Sequence, residues 1–568
     1  MLNRRRLVWR CVLTVVVFLC VPQAAQAVSR LDPAALKQWQ DRRFGLFIHW
    51  GPVSLTGKEI GWARGQEIPI IEYDQLYTKF NPAQFDADHW AQVASDAGVQ
   101  YVVLTTKHHD GFCLWDTRQT DYNIMNTPLK RDVVKELAAA CRKKGIAFGT
   151  YYSTCDWHHP DFPLTSPGGK VRRETHNLDR YTEYLKAQVK ELLVNYGPLS
   201  TIWFDVPQEF DTVRGQELVD FVRAIQPDIV INDRTGAKGD YSTPEQRVGG
   251  FDRQRPWETC MTICQQWAWK PDDTMKSVKE CIQTLLYTIG GDGNLLFNVG
   301  PMPDGRIEPR QVERLQEMGR WVKRYGDGIY GTRGGPFMPG QWGVSTCKDD
   351  KIFLYVMEWP EQGPLLLPAV MVDIADAKVL GGGSIDLQRT EEGMAVNVPK
   401  ENRDDIATVI ELTVKRTAYD IKPCRVSISR SLAFAKNAIA SNTYMNNAEY
   451  APAQTLDDDP RTRWATDAGV TSAWLQIDLG SEKTVAGAMI DEHDWNRVNK
   501  FELQYLGGSE WKTVYTGTTI GAKKYLTFQP VQARLFRLNI LDSSEGPTIW
   551  EVQLFEVNRK PSLDLNIR

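Results

Sequence analysis

No CxxC occurs among the ten cysteines of this 568-residue chain, and no H-E-x-x-H or H-x-H spacing among its eight histidines. The closest groupings, Cys260 with Cys264 and Cys155 with His158, have no second pair of ligands nearby, which argues against zinc. Lysine and arginine never gather into a stripe and the formal net charge is −4, so a phosphate backbone would be repelled and nucleic acid is a poor partner. No glycine-rich phosphate fingerprint follows the first apolar run of the folded part, which counts against a dinucleotide fold. Beyond residue 27 no apolar run is long enough to span a membrane. Long-period repeats and low-complexity tracts are also missing.

Aromatic residues are plentiful: 19 Trp and 20 Tyr suggest flat amphipathic surfaces that stack on sugar rings or bases, and the charge removes the bases. The amino terminus carries an address. Arg4, Arg5 and Arg6 precede the apolar run Cys11 to Pro22, and Ala25-Gln26-Ala27 is a small-x-small cleavage site. Residues 1–27 therefore read as a secretory signal. Loss of this segment, which also contains Arg10, takes the net charge from −4 to −8. The protein is expected to be exported, periplasmic or extracellular, with lipid attachment at Cys20 as the alternative. Eight cysteines remain after Ala27, expected as mostly buried thiols.

From 28 to 331 strand-like and helix-like patterns alternate. Candidate strands are 43–49, 101–107, 147–153, 201–206, 229–233, 256–260 and 294–299. Leu218, Val219, Val222 and Ile225 place one apolar face on an intervening helix. Seven or eight such units suit a (β/α)8-type barrel of α/β class. Residues 332–425, with short alternating stretches such as Ile352, Leu354 and Val356, read as a small antiparallel β-sandwich. Residues 431–558 form a second all-β unit, where Phe501, Leu503 and Tyr505 alternate, as do Leu475, Ile477 and Leu479.

Chemistry-bearing residues stand where the apolar runs end. His49, His108, His109, His158 and His159 follow three of them, whereas His89 and His176 lie elsewhere and read as ordinary structural histidines. Adjacent rings cannot easily face one ion, so the clustered imidazoles are better suited to hydrogen bonds with sugar hydroxyls. Thr201-Ile202-Trp203-Phe204-Asp205 is an apolar strand ending in an acid, and Pro256-Trp257-Glu258 repeats the theme. Two carboxyls flanking one bond are what glycoside hydrolysis requires. The alternatives are that Asp205 caps a turn and that Glu258 pairs with Arg253 or Arg255. Asn298, inside the last strand, would orient a partner or support the backbone.

FGLFIHWG (44–51), KHHDGF (107–112), YYSTCDWHHPDF (151–162), WFD (203–205), INDR (231–234), PWETCMTI (256–263) and GNLLFNVGPMPDGRIEP (293–309) together resemble the α-L-fucosidases of glycoside hydrolase family 29. The resemblance implies a retaining, cofactor-independent hydrolase acting on terminal α-L-fucose of fucosylated oligosaccharides or glycoconjugates. It implies Asp205 as nucleophile and Glu258 as general acid/base, with His49, His108 and His109 gripping the sugar and Trp203 and Tyr152 lining the pocket. Two departures touch that face. Val206-Pro207 follows the nucleophile where the family usually has glycine. Glu59-Ile60-Gly61-Trp62-Ala63 stands where many members have Glu-Trp-Tyr, so Trp62 is the expected pocket wall, and Glu245 is a rival proton donor.

The last module resembles discoidin-type, galactose-binding-like sandwiches, carried by Asp457-Asp458-Asp459-Pro460-Arg461-Thr462-Arg463-Trp464, WLQIDLG (474–480) and FELQY (501–505). The resemblance implies a carbohydrate-binding module, with Asp457, Asp459, Thr462 and Glu551 as ligands of a structural calcium. His493, Asp494, Trp495 and Arg497 are candidate sugar contacts. The rival readings are a related glycosidase preferring a β-galactoside or β-fucoside, and a catalytically silent glycan-binding protein.

Overall fold

A computed structural model describes residues 31–556 apart from 170, 361–362, 370–372 and 392; the expected signal and Cys20 lie outside this range. Seven parallel strands carry the first body: β1 (Phe44–Ile48), β2 (Tyr101–Lys107), β3 (Ala147–Ser153), β4 (Thr201–Asp205), β5 (Val230–Ile231), β6 (Glu258–Thr262) and β7 (Asn294–Val299). Their order in the sheet is β5-β4-β3-β2-β1-β7-β6. Among the helices beside them are α1 (Pro33–Arg42), α2 (Ile70–Asp74), α3 (Ala87–Asp96), α4 (Val133–Lys143), α5 (Leu178–Asn195), α6 (Thr212–Ile225), α7 (Val278–Gly290) and α8 (Pro309–Tyr325).

The sheet curls until its edges, β5 and β6, nearly meet. No eighth strand joins this sheet among the described residues. The gap is crossed by segment 240–246, which makes single parallel bridges Asn232 to Tyr241, Ser242 to Trp257 and Glu245 to Cys260. Thr243-Pro244 explains the irregularity, since proline has no N–H to give a ladder.

Strand parity sorts the side chains. Phe44, Leu46 and Ile48 of β1 join the large core beneath the helices, together with Val102, Leu104, Phe148, Tyr152, Ile202 and Phe204. The alternate residues Phe47, Tyr101, Val103, Tyr151, Trp203, Cys260 and Leu296 pack on each other inside the curl. Both faces are buried, so these strands read as continuous apolar runs.

Two antiparallel bodies follow. One pairs a five-stranded sheet, containing strands 343–348, 351–356 and 408–414, with a three-stranded sheet over 365–397, about a core containing Trp342, Leu354, Leu367 and Val396. The other is dominated by a six-stranded sheet whose long strands are 473–491 and 524–543, and its core includes Trp464, Leu475, Phe501 and Phe536. Of the eight cysteines after Ala27, seven are buried free thiols and Cys424 is partly buried.

Arg43 fastens the lower end of the curl. It is fully buried with φ of 55°, and its guanidinium donates to the Thr332 and Asp292 carbonyls and pairs with the Asp292 carboxylate at 2.5 Å. Arg43→Met leaves that carboxylate buried without a counter-charge, held only by the Gly334 N–H at 3.0 Å, and should cost about 3–5 kcal/mol in a denaturant-unfolding measurement.

Candidate active site

Asp205 is the last residue of β4 and projects into the mouth of the curl. Its Oδ2 accepts from the Tyr151 hydroxyl at 2.8 Å, and its Oδ1 accepts from Arg234 Nη1 at 3.0 Å and from the Val206 N–H at 2.9 Å. His109 Nε2 stands 3.8 Å from Oδ2. Burial pushes this carboxyl up, but Arg234, His109 and Tyr151 outweigh it and hold it below the ordinary carboxylate range. Val206 has φ of 49°, a left-handed conformation that a β-branched residue rarely takes. It explains why glycine is usual there: this chain keeps the geometry at a strain of about 1–3 kcal/mol. Thr154 secures the bend by donating to the Asp205 and Val206 carbonyls at 2.8 and 3.0 Å.

Arg234 Nη1 also touches Glu245 Oε2, at 2.8 Å. Two carboxylate oxygens on one nitrogen, at 3.0 and 2.8 Å, lie no more than 5.8 Å apart. The guanidinium is fixed from its other edge, where Nε donates to Thr243 Oγ1 at 2.8 Å and Nη2 to the Thr243 carbonyl at 3.0 Å, and it lies 4.8 Å above the Trp203 ring. The Glu245 side chain keeps 42% of its surface exposed, so it stands at the rim while Asp205 lies deeper.

The histidines face the same hollow, a cavity of about 80 Å³ lined by His49, Trp62, His108, His109, Tyr151, Trp203, Asp205, Arg234, Glu245 and Trp267 among others. Burial lowers His49 to about 3 and His109 to about 4, and drives His108 well below its usual value, so all three rings are neutral. His49 Nδ1 meets Asn298 Oδ1 at 2.6 Å, while the Asn298 amide nitrogen donates to the Trp267 carbonyl at 2.8 Å. That assigns the His49 proton to Nδ1 and leaves Nε2 as an acceptor. His109 Nδ1 is paired with Ser153 Oγ at 2.7 Å. Trp62, 42% exposed, stands edge-on to His109 and Trp157.

Two expected residues, Glu258 and Tyr152, sit elsewhere, and Glu59 is outside the lining of the hollow. Glu258 opens its strand rather than ending it, because β6 runs to Thr262 instead of stopping at 260. It therefore lies at the opposite end of the curl from Asp205, fully buried below the hollow. Its carboxyl accepts from the Tyr101 hydroxyl and from Trp203 Nε1 at 3.0 Å, and burial raises it to about 7. Tyr152 points outward: its hydroxyl donates to Gln188 at 2.8 Å and Lys107 Nζ lies 4.4 Å from the ring centre. The neighbouring Tyr151 faces the pocket, since one residue along a strand exchanges faces. Glu59 turns away from the sugar side and accepts from the backbone N–H groups of Ile60, Trp267 and Ala268 at 3.0, 2.8 and 3.0 Å. Arg234 and Trp267 were not singled out by sequence; Arg234 is the last residue of the INDR motif, and the Trp203-to-Asp205 parity would have pointed to Tyr151.

In the last module the four expected calcium ligands do lie together, but arginines hold the carboxylates. Arg425 Nη1 is 2.7 Å from Asp457 and Arg461 Nη2 is 2.6 Å from Asp459. Thr462 Oγ1 donates to Asp457 at 2.9 Å. Burial, together with Asp458 and Asp457, pushes Glu551 well above its ordinary range. This donor set does not fit a divalent cation as arranged, and no group of three or more His, Cys, Asp or Glu suited to a metal occurs among the described residues. Trp495 is exposed and packs against Trp550, with Arg497 4.0 Å above its ring.

Neutral imidazoles, an indole wall and paired carboxylates at the carboxyl ends of a curled parallel sheet define a glycoside hydrolase type of site. A family model described as α-L-fucosidase matches residues 22–327, and one for the F5/8 type C domain matches residues 437–552. Plasma α-L-fucosidase of Pongo abelii is 31% identical over 420 residues, covering 65% of this chain and 88% of that protein. The structure of α-L-fucosidase isoenzyme 1 from Paenibacillus thiaminolyticus is 33% identical, covers 67% of this chain and 99% of its own, and superposes with a TM-score of 0.63. A Bacteroides thetaiotaomicron family 29 enzyme, trapped as a covalent intermediate with 2-fluoro-fucosyl fluoride, gives 29% identity over 69% of this chain and 98% of its own, with a TM-score of 0.62. An α-L-fucosidase from Vibrio sp. strain EJY3, 24% identical, shares the fold over 94% of this chain and 95% of its own, with a TM-score of 0.68. The chain belongs to the α-L-fucosidase family, glycoside hydrolase family 29.

Glu258→Gln keeps an acceptor for Tyr101 or Trp203 and removes a titrating group, so the variant should retain most of its activity. Because the folded carboxyl is raised, wild-type stability from this group is present below pH 4.5 and lost as pH rises through about 7. Melting temperatures across that window should slope downward in the wild type and less steeply in Glu258→Gln.

Proposed function

We propose that the protein is a retaining exo-glycosidase that releases terminal α-L-fucosyl residues from fucosylated oligosaccharides or glycoconjugates. The observation that carries this reading is the Asp205–Arg234–Glu245 bridge, which keeps one oxygen of each carboxyl within 5.8 Å of the other, compatible with the about 5–5.5 Å of double displacement. Asp205, ionised by its donors, attacks the anomeric carbon and forms a glycosyl ester. Glu245 at the rim gives its proton to the departing oxygen, then takes one from the water that opens the ester. The covalent intermediate trapped in the Bacteroides relative supports the same two steps here. The same reading takes the curled sheet as a (β/α)8-type barrel whose eighth stave is segment 240–246, supported by its parallel bridges on both sides.

A small hollow suits one terminal ring, with Trp62 and Trp267 as apolar walls and His49, His108 and His109 for its hydroxyls. A different sugar preference, for a β-galactoside or β-fucoside, is the second reading, favoured by the wall at 59–63, where Glu59 is spent on backbone rather than offered to the sugar. The F5/8 type C module is read as a glycan-binding domain, and the arginine-rich, apolar leader supports export.

Asp205→Ala should lower kcat on an aryl α-L-fucoside by about 10⁴-fold or more with the melting temperature within a few degrees of wild type. Glu245→Ala should be rescued by azide, which opens the ester in place of water and yields a fucosyl azide of retained configuration that NMR identifies. Wild-type rates in either variant, or faster turnover of a β-galactoside in a panel of aryl glycosides, would reject the reading. The acidic turn is an arginine-paired joint, so EDTA should leave the melting profile unchanged, and a fall of several degrees reversed by calcium would restore the cation there.

A further inference from the structure

Glu245 is carried by neither a strand nor a helix. The chain climbs from β5 through segment 240–246, reverses, and descends along β6, where the Thr259 hydroxyl donates to the Arg247 carbonyl at 3.1 Å and accepts from Gly249 at 3.3 Å. Gln246 is the tip of this reversal and has φ of 53°, in the left-handed region. Its backbone N–H donates to the Cys260 carbonyl at 3.0 Å, and its side-chain amide meets Thr262 Oγ1 at 3.2 Å. Above Tyr241 the backbone-to-backbone bonds of this segment run to residues 256–260 alone, through Ser242, Pro244 and Gln246, so a group whose oxygen must meet a glycosidic oxygen within hydrogen-bond distance is held from one side.

The next residue, Arg247, reaches across to the C-terminal module. Its Nη1 is paired with Glu449 Oε1. Glu449 is itself fixed: it lies in the short turn Ala448–Tyr450, its N–H donates to Asn447 Oδ1 at 3.0 Å, and the turn before it is tied down where the Met445 N–H donates to Asp467 Oδ1 at 2.7 Å. The module is braced at a second place, where Arg461 stacks 3.8 Å above the Tyr287 ring of α7 and the Gln341 N–H donates to the Asp458 carbonyl at 2.7 Å. An arm held at two points can resist movement of the tip.

We propose that the C-terminal module is a positioning part of the catalytic unit: Glu449, through Arg247, holds the turn that presents Glu245 to the leaving group. The proposal rests on the assignment of Glu245 as acid/base. Arg247 and Glu449 touch no reacting atom and act only through that turn. Their side chains remain 55% and 44% exposed, so the effect is modest and weakens with salt.

The test is kcat/KM of the full-length enzyme on aryl α-L-fucosides whose leaving phenols span a range of acidity. Good leaving groups depart without a proton and poor ones need it. Glu449→Ala should lose about two- to fivefold on the least acidic phenols and nothing on the most acidic, with an unchanged melting temperature. The exchange Arg247→Glu with Glu449→Arg should restore the wild-type series, and high salt should erase the difference between wild type and Glu449→Ala. A series unchanged in Glu449→Ala, or lowered equally for every phenol, overturns the proposal. Glu245→Gln in the same series separates the two failures: a steep dependence on the phenol upholds the acid/base assignment, whereas a flat one rejects it and the positioning role with it.

Discussion

One guanidinium organises the catalytic end of this protein. Arg234 touches Asp205 and Glu245 with the same nitrogen, is gripped by Thr243 on its other side, and rests on the Trp203 face. Two carboxylates this close repel each other and would share a proton were no cation present. With Arg234 between them Asp205 stays ionised despite burial, while Glu245 keeps one foot in solvent. A cation on a rigid planar fork also fixes distance, which a lysine could not do as well. The histidines contribute the opposite property. Burial keeps them uncharged, so they can accept and donate hydrogen bonds without adding positive charge beside Asp205.

Much of this could be read from the chain before folding. The apolar runs ending in His49, in His108 and in Asp205 placed strands and a mouth correctly, because burial on both faces leaves an unmistakable continuous pattern. Pocket membership of His49, Trp62, His108, His109, Trp203 and Asp205 agrees with that reading. Three other points were less visible. The register of β6 shifts by two residues against the pattern, and with it Glu258 moves from the rim to the floor. The parity of β3 cannot be told when both faces are apolar, so Tyr151 and Tyr152 were exchanged. Segment 240–246 carries Glu245 without any strand period, since its bridges are isolated and its proline interrupts the ladder.

Local strain marks the residues beside both carboxyls. Val206 follows Asp205 and Gln246 follows Glu245, and both take left-handed backbones without being glycine. At Val206 the following proline adds its own restriction, yet Thr154 and the Gln208 N–H hold the bend from two sides. At Gln246 the side chain itself supplies the anchor on Thr262. Strain of this kind survives only where surrounding bonds over-determine it.

Glu258 shows what position alone does to one chemical group. It shares the interior of the curl with Asp205, separated by the Trp203 ring whose indole nitrogen it binds. Asp205 is offered a guanidinium and is held low; Glu258 is offered only the phenols of Tyr101 and Tyr241 and an indole, and burial pushes it to about 7. A neutral hydrogen-bond donor relieves part of the desolvation of a carboxylate, whereas a full positive charge reverses it. The floor acid is thus poised to be protonated near neutrality with no route to substrate, so a raised carboxyl pKa on its own does not identify a proton donor. Access decides, and among the described acids only Glu245 joins Asp205 in lining the hollow.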